Sequence, residues 1–160
     1  MSQAGIGPGT SLGYTIPSVT QFSIFLANKV GKMLELVKGF DEHNCRICAL
    51  AVHEASDHAV VRIVPNDADE ARQILREQNL PYMETEILVV CFDPQHSLSS
   101  MCQFLLGAEL SIRFMYPLMA WSGATQTLAL AVDDLTLAGQ ILRRKEFRLL
   151  GEADLPRAGD

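Results

Sequence analysis

Hydrophobic and polar residues alternate along Gln21–Leu26, with Phe22, Ile24 and Leu26 on one side. That two-residue period predicts a strand. The period then lengthens. Met33, Leu36, Val37 and Phe40 fall at i, i+3, i+4 and i+7 and predict an amphipathic helix over Gly31–His43. Cys45–Glu54 and His58–Val64 return to strand-like runs, divided by the polar turn Ala55-Ser56-Asp57, and Pro65-Asn66-Asp67 stops the second run. Asp67 is placed to cap a further helix whose Glu70 reaches back, a variant of the capping box. That helix extends to Gln78 with Ala71, Ile74 and Leu75 inward, and Leu80-Pro81 ends it. A new extended segment starts at Tyr82–Glu84 and runs into Glu86–Phe92.

The pattern then repeats. Shifted by sixty-five positions, Phe22, Ile24 and Leu26 fall on Ile87, Val89 and Cys91, and the helix stripe falls on Leu98, Met101, Cys102 and Leu105. Two extra residues near Trp121-Ser122-Gly123 raise the shift to sixty-seven. Asp67 then falls on Asp134, Ala71 on Ala138, Ile74 on Ile141 and Leu75 on Leu142. Two stripes in one order at nearly one offset indicate a tandem βαββαβ chain. The fold class is therefore α+β: two ferredoxin-like units, each an antiparallel sheet with both helices on one face. The expected divisions are a flexible arm over residues 1–18, units over 19–84 and 85–152, and a tail over 153–160. In this register Leu88, Val90 and Phe92 point away from the helices yet are apolar, and Ser111–Ala120 is apolar on both sides. Strands apolar on both faces are covered on both faces. The second cover is either the other repeat or a second chain.

Composition narrows the partners. Thirteen Lys and Arg against nineteen Asp and Glu give a net charge of −6. Nucleic acid and anionic membrane surfaces need clustered cations, so neither is an expected partner. No run of about 18 uncharged apolar residues predicts a membrane span. Met1–Tyr14 has neither a basic start nor an apolar stretch, so no secretory signal is expected. Four cysteines in such a chain read as reduced thiols in a cytoplasmic protein.

The loop Leu26-Ala27-Asn28-Lys29-Val30-Gly31-Lys32-Met33, the helix to Phe40 and the strand Cys45-Arg46-Ile47-Cys48-Ala49-Leu50 resemble the ACT domain family. In the second half the resemblance continues in Ile112-Arg113-Phe114-Met115-Tyr116 and Val132-Asp133-Asp134, so that it spans Thr20 to Leu150. It implies a stand-alone tandem ACT protein: a non-catalytic regulatory module that binds an amino acid or related effector at an interface between units. The implied ligand residues are Asn28, Lys29, Val30, Gly31, Lys32, Met33 and Ile47. A second candidate site comprises Asp93, His96, Ser97 and Tyr116. Val30 stands where the family often has proline, and His96 takes the glycine's place in the second copy.

The first loop supports this chemistry on its own physics. The first N–H groups of a helix lack partners and carry the positive end of its dipole, which suits a carboxylate. Glycine at position 31 permits close backbone approach. The Asn28 amide can accept from an ammonium and donate to a carboxylate. The same spacing also suits a glycine that merely makes the turn, with Asn28 as an ordinary N-cap. In the second loop His96 adds a ring and Asp93 a negative charge, so a decayed site is expected there. A site repurposed around His96 is the alternative.

Other motifs carry less. Cys45 and Cys48 form a lone C-x-x-C on a strand, where positions i and i+3 diverge, so no metal is expected. Phe114, Tyr116 and Trp121 lack the basic aromatic motif of a base-stacking platform and read as packing residues. Gly5, Gly7 and Gly9 have no strand before them and no helix after them, so they make no phosphate loop. Glu54, Asp57 and His58 sit at a hairpin turn without the pocket that catalysis needs. No enzyme activity and no cofactor are expected. The expected partners are an amino-acid effector, a second copy of the chain and a regulated enzyme in trans. The competing expectation is a ligand-free oligomerisation or interaction protein on a degenerate ACT-like fold.

Overall fold

The computed structural model describes residues 15–27, 31–119 and 126–157. Their order is β1 (Val19–Ala27), α1 (Lys32–Glu42), β2 (Ile47–Ala55), β3 (His58–Pro65), α2 (Ala68–Glu77) and β4 (Tyr82–Phe92). The second half continues with α3 (Leu98–Gly107), β5 (Ile112–Pro117), β6 (Gln126–Val132), α4 (Leu135–Arg144) and β7 (Arg148–Leu150), followed by a short 3-10 turn at Glu152–Asp154. This is βαββαβ twice over, as the repeat predicts.

The two units share a strand. Tyr82–Ile87 of β4 pairs antiparallel with β1, while Leu88–Phe92 pairs with β6 and Cys91–Val89 with β7. β4 thus closes the first unit and opens the second, and the expected division between residues 84 and 85 falls inside it. Because side chains alternate along an unbroken strand, one face is carried through both units. Tyr82 lies among the residues under α1 and α2, and Leu88, Val90 and Phe92 lie among those under α3 and α4. This corrects the expected register. Leu88, Val90 and Phe92 face the helices, and Ile87, Val89 and Cys91 face away. Phe22 and Ile24 correspond to Leu88 and Val90, an offset of sixty-six, whereas Leu36 and Phe40 correspond to Met101 and Leu105, an offset of sixty-five. The strand offset carries to the helix caps, Gly31 and Ser97, and the one-residue difference lies in the first turn of α3. A one-residue slip in a strand exchanges its faces, and both faces here are apolar, so the sequence pattern left the slip invisible.

All four helices therefore cover one face of a continuous sheet ordered β2-β3-β1-β4-β6-β5. The other face closes on itself. Ala49 of β2 bridges to Leu118 beyond β5, and the Met119 N–H donates to the Cys48 carbonyl at 2.8 Å. The inner layer holds Val19, Val64, Ile87, Val89 and Leu150 with the small residues Cys48, Ala49, Cys91, Ala129 and Ala131, which let the two half-sheets approach. The second cover over the doubly apolar strands is thus the other repeat.

Polar groups inside this layer are paired. Gln21 is fully buried, and the Tyr116 hydroxyl donates to its Oε1 at 2.6 Å. Burial raises the Tyr116 phenol's pKa. Tyr116→Phe leaves the Gln21 oxygen without its donor and is expected to cost about 1–3 kcal/mol. Adding Gln21→Leu should restore most of that loss, because removing both partners is far cheaper than removing one. Urea midpoints of the two single variants and the double variant check this. Additive losses would show that the bond contributes nothing.

The helix ends repeat as faithfully as the cores. Asp67 and Asp134 cap α2 and α4, each accepting a main-chain N–H at 3.0 Å. Each helix exits through a left-handed residue, Asn44, Asn79, Glu109 or Glu146. The N–H of the following residue then bonds back to a buried Phe40, Leu75, Leu105 or Leu142 carbonyl. This is the bond of a Schellman closure, which satisfies an orphan carbonyl at each end.

The ends of the chain also pack. Residues 15–18 were expected to belong to the arm, yet Ile16 is buried under α4 against Gly139. Leu155, expected in the tail, is buried in the inner layer. The lead-in of the first unit thus docks on the second, and the tail of the second docks on the first. The remainder of the arm lies outside the described residues. No helix among the described residues is long and apolar enough to cross a membrane.

Candidate functional site

β1 ends at Ala27, and Gly31 starts α1 as its N-cap with φ +93° and ψ −16°. That φ lies in the left-handed region, where glycine carries no Cβ penalty. Glycine offers no side chain to cap this helix end, and among the described residues a Cβ built at Gly31 meets nothing within 4 Å. Lys32 pairs with Glu35 at 3.2 Å on the exposed side, and Met33 packs on the core under α1 and α2. Asn28, Lys29 and Val30 lie outside the described residues.

Ile47 is not brought to this turn. It pairs with Pro65 at one end of the β2–β3 hairpin, while Ala27 pairs with His58 at the other. Seven residues of strand separate the two levels, roughly 20 Å. Ile47 packs instead on the core under α1 and α2.

The second loop is built differently. The cap of α3 is Ser97, which exchanges hydrogen bonds with Ser100 at 3.1 Å in each direction. Cap for cap, Ser97 is the counterpart of Gly31, and His96 precedes it. The His96 ring is largely buried. Its Nε2 donates to the Lys145 carbonyl at 2.8 Å, its Nδ1 lies 2.8 Å from Asp93 Oδ1, and its plane stacks on Phe147 at 3.9 Å. A carbonyl only accepts, so Nε2 carries the hydrogen. His96 ties the start of α3 to the end of α4. Asp93 also accepts the Gln95 N–H at 2.9 Å. Tyr116 is not near this loop: it is sealed in the inner layer on Gln21.

The remaining candidates fall into place structurally. Cys45 belongs to the core under the first pair of helices and Cys48 to the inner layer, so the two thiols diverge. Burial pushes the Cys45 thiol up to about 12 and the Cys48 thiol up to about 11. Among the described residues no cluster of His, Cys, Asp or Glu is arranged to hold a metal ion. Phe114 lies beneath the Arg62 guanidinium, 4.1 Å from its ring centre, and stacks towards Tyr116. Trp121 lies outside the described residues. At the hairpin turn the His58 ring holds the exposed Asp57 carboxyl below its usual range through a 2.9 Å contact.

A cleft of about 670 Å³ lies at the other end of the first unit, between His43, Asn66 and Asp67 on one side and Glu152 and Arg157 on the other. Sequence reasoning missed it. Its walls come from residues about a hundred positions apart, and Leu155 and Arg157 fell in a segment read as a tail.

The chain matches the model of the ACT domain pair over residues 17–158. No curated protein matches it. Among solved structures it is similar to protein BT0572 from Bacteroides thetaiotaomicron, with 24% identity, 86% of this chain and 94% of that one covered, and a TM-score of 0.77. It is also similar in fold to the regulatory subunits of aspartate kinase from Thermus thermophilus and Thermus flavus. Each is 10% identical over 81% of this chain and 92% of that one, with TM-scores of 0.55 and 0.52. The doubled βαββαβ topology, the strand shared between units and the open glycine turn at the head of α1 accord with a family match that spans nearly the whole chain, which belongs to the ACT domain pair family.

Proposed function

We propose that this protein is a non-catalytic regulatory module that binds an amino acid or a closely related effector at the turn between β1 and α1. The observation that carries the reading is Gly31: a left-handed, side-chain-free helix cap whose Cβ position meets no described residue within 4 Å. The α-carboxylate would sit on the first N–H groups of α1, where the dipole favours an anion. Asn28, Lys29 and Val30 would enclose it from the preceding loop, with Lys32 and Met33 flanking the helix side. The second loop takes the opposite role. The Ser97–Ser100 pair already caps the head of α3, and His96 ties that head to Lys145, which leaves a ligand less to bind there. Two proteins of similar fold are regulatory subunits of aspartate kinase, which supports a controlling role for the pair. The output would pass to an enzyme bound in trans.

A thermal-shift screen of the twenty amino acids tests this reading, because a ligand that binds only the native state raises its stability. A rise for one or a few of them is expected. No shift for any at millimolar concentration would leave the ligand-free interaction protein as the better account.

We also propose that the chain pairs with a second copy. The doubly apolar strands no longer argue for this, since the other repeat covers them. What remains is α3, which carries no charged residue and exposes Leu98 and Leu106, with Leu137 exposed on α4. Light scattering at micromolar concentration should return twice the chain's mass, and a single chain's mass would refute the pairing.

A further inference from the structure

After β7 the chain leaves the second unit and lies along the first. Glu152 Oε1 accepts the Ala68 N–H at 2.6 Å, at the amino end of α2. Leu155 is 3% exposed and fills the inner layer among residues of both units. The Pro156 carbonyl lies 3.8 Å from the Cys48 thiol, and the Arg157 carbonyl accepts from the Arg46 guanidinium at 3.1 Å. The polar contacts cross from the second unit to the first, and Leu155 packs with both. Inside the segment, the only order is one 3-10 turn, closed by Asp154 on Gly151 and Leu155 on Glu152.

We propose that Glu152–Arg157 is a clasp that opens as a unit while the two sheets stay folded, so that its opening uncovers the Cys48 thiol. The physical basis is the contrast in anchoring. The core strands are held by continuous ladders and by three apolar clusters. Among the described residues the clasp joins no ladder, and Leu155 is its one buried apolar side chain. Segments held in this way open at a fraction of the global free energy. Glu152 is the strongest of the polar contacts, since its carboxylate meets a helix amino end, where an anion is favoured. The clasp also forms one wall of the cleft, whose other wall is the first unit. Opening it removes that wall and frees the amino end of α2. Closed, it covers Cys48, which is fully buried and, with its pKa raised by burial, holds almost no thiolate at neutral pH.

The test is alkylation of the full chain by N-ethylmaleimide in native buffer, read residue by residue by mass spectrometry. Cys91 is the internal control. It is buried in the same layer and lies 3.6 Å from the Thr127 hydroxyl of β6. Glu152→Ala and Leu155→Ala should each speed the labelling of Cys48 by about tenfold or more, the factor expected for losing one charge-assisted bond or one buried anchor. Cys91 should keep its rate. Equal acceleration of Cys48 and Cys91 would mean that only global unfolding exposes them, and an unchanged Cys48 rate in both variants would mean that the clasp does not gate it. Should Leu155→Ala fail to fold, hydrogen exchange on the unaltered protein still decides. The amides of Ala68 and Leu155 should exchange together and well before that of Leu130 in β6, and exchange at the rate of Leu130 would overturn the proposal.

Discussion

Phe22→Ala will lower the stability of the whole chain by about 3–5 kcal/mol, the usual cost of emptying a buried phenylalanine site. Phe22 is completely buried under α1 and α2, with its ring 5.6 Å from that of Tyr82. The informative part is where the loss is felt. Tyr82 begins β4, and the same strand ends in the second unit at Phe92. The inner layer also draws residues from both units. Damage confined to the first unit should therefore be transmitted to the second. Hydrogen exchange of β6 amides such as Leu130 should accelerate roughly 10²- to 10³-fold, in step with the global loss. Urea unfolding should keep a single transition with a lower midpoint. Two separated transitions, with β6 protection unmoved, would show that the units fold independently despite the shared strand.

Gly31→Val will abolish amino-acid binding while leaving the fold intact. The added Cβ meets no described residue within 4 Å, so no described core residue is disturbed by it. The penalty lies in the backbone, because φ +93° is forbidding for a β-branched residue. Holding such a residue there costs about 1–2 kcal/mol, and relaxing it rotates the first N–H groups of α1 away from a bound carboxylate. Calorimetry with the amino acid found by the screen, beside a urea titration, separates lost binding from lost structure. His96→Ala is the matched comparison. It removes the ring that joins Lys145 to the α3 lead-in, so stability should fall while affinity remains. Binding by Gly31→Val with loss in His96→Ala would place the site on the second loop. Normal binding by both would remove it from either.

The doubled topology, the helix stripes and the caps at Asp67 and Asp134 were legible because each is a local rule. A 3.6-residue stripe, an alternating strand and an aspartate before a helix act over a few residues, and the chain states them twice. The glycine turn was legible for the same reason: a Gly between strand and helix announces a backbone that other residues resist. The faces of β4 were not legible. Leu88, Val90 and Phe92 alternate with Ile87, Val89 and Cys91, and when both sets are apolar the period identifies neither as the helix side. The register was decided by pairing with β1 and β6.

The candidate site divides along the same line. Residues adjacent in sequence, Gly31 to Met33, form one helix start, and a local reading finds them. Ile47 and Tyr116 were joined to their loops by position in a family pattern, but strand direction carries Ile47 to the far end of its hairpin and sheet closure carries Tyr116 inward onto Gln21. The burial of Gln21 had no signal, because a polar residue in an alternating strand reads as solvent-facing until a second sheet covers it. The same holds for Ile16, Glu152 and Leu155 at the chain ends. By itself the sequence determined the elements, their order and their repetition, since backbone propensity and side-chain periodicity act between near neighbours. The tertiary structure alone decided which repeat face met which and that the two units share a strand. It also decided which distant polar groups found each other, because burial and hydrogen-bond partnership depend on contacts between residues far apart in the chain.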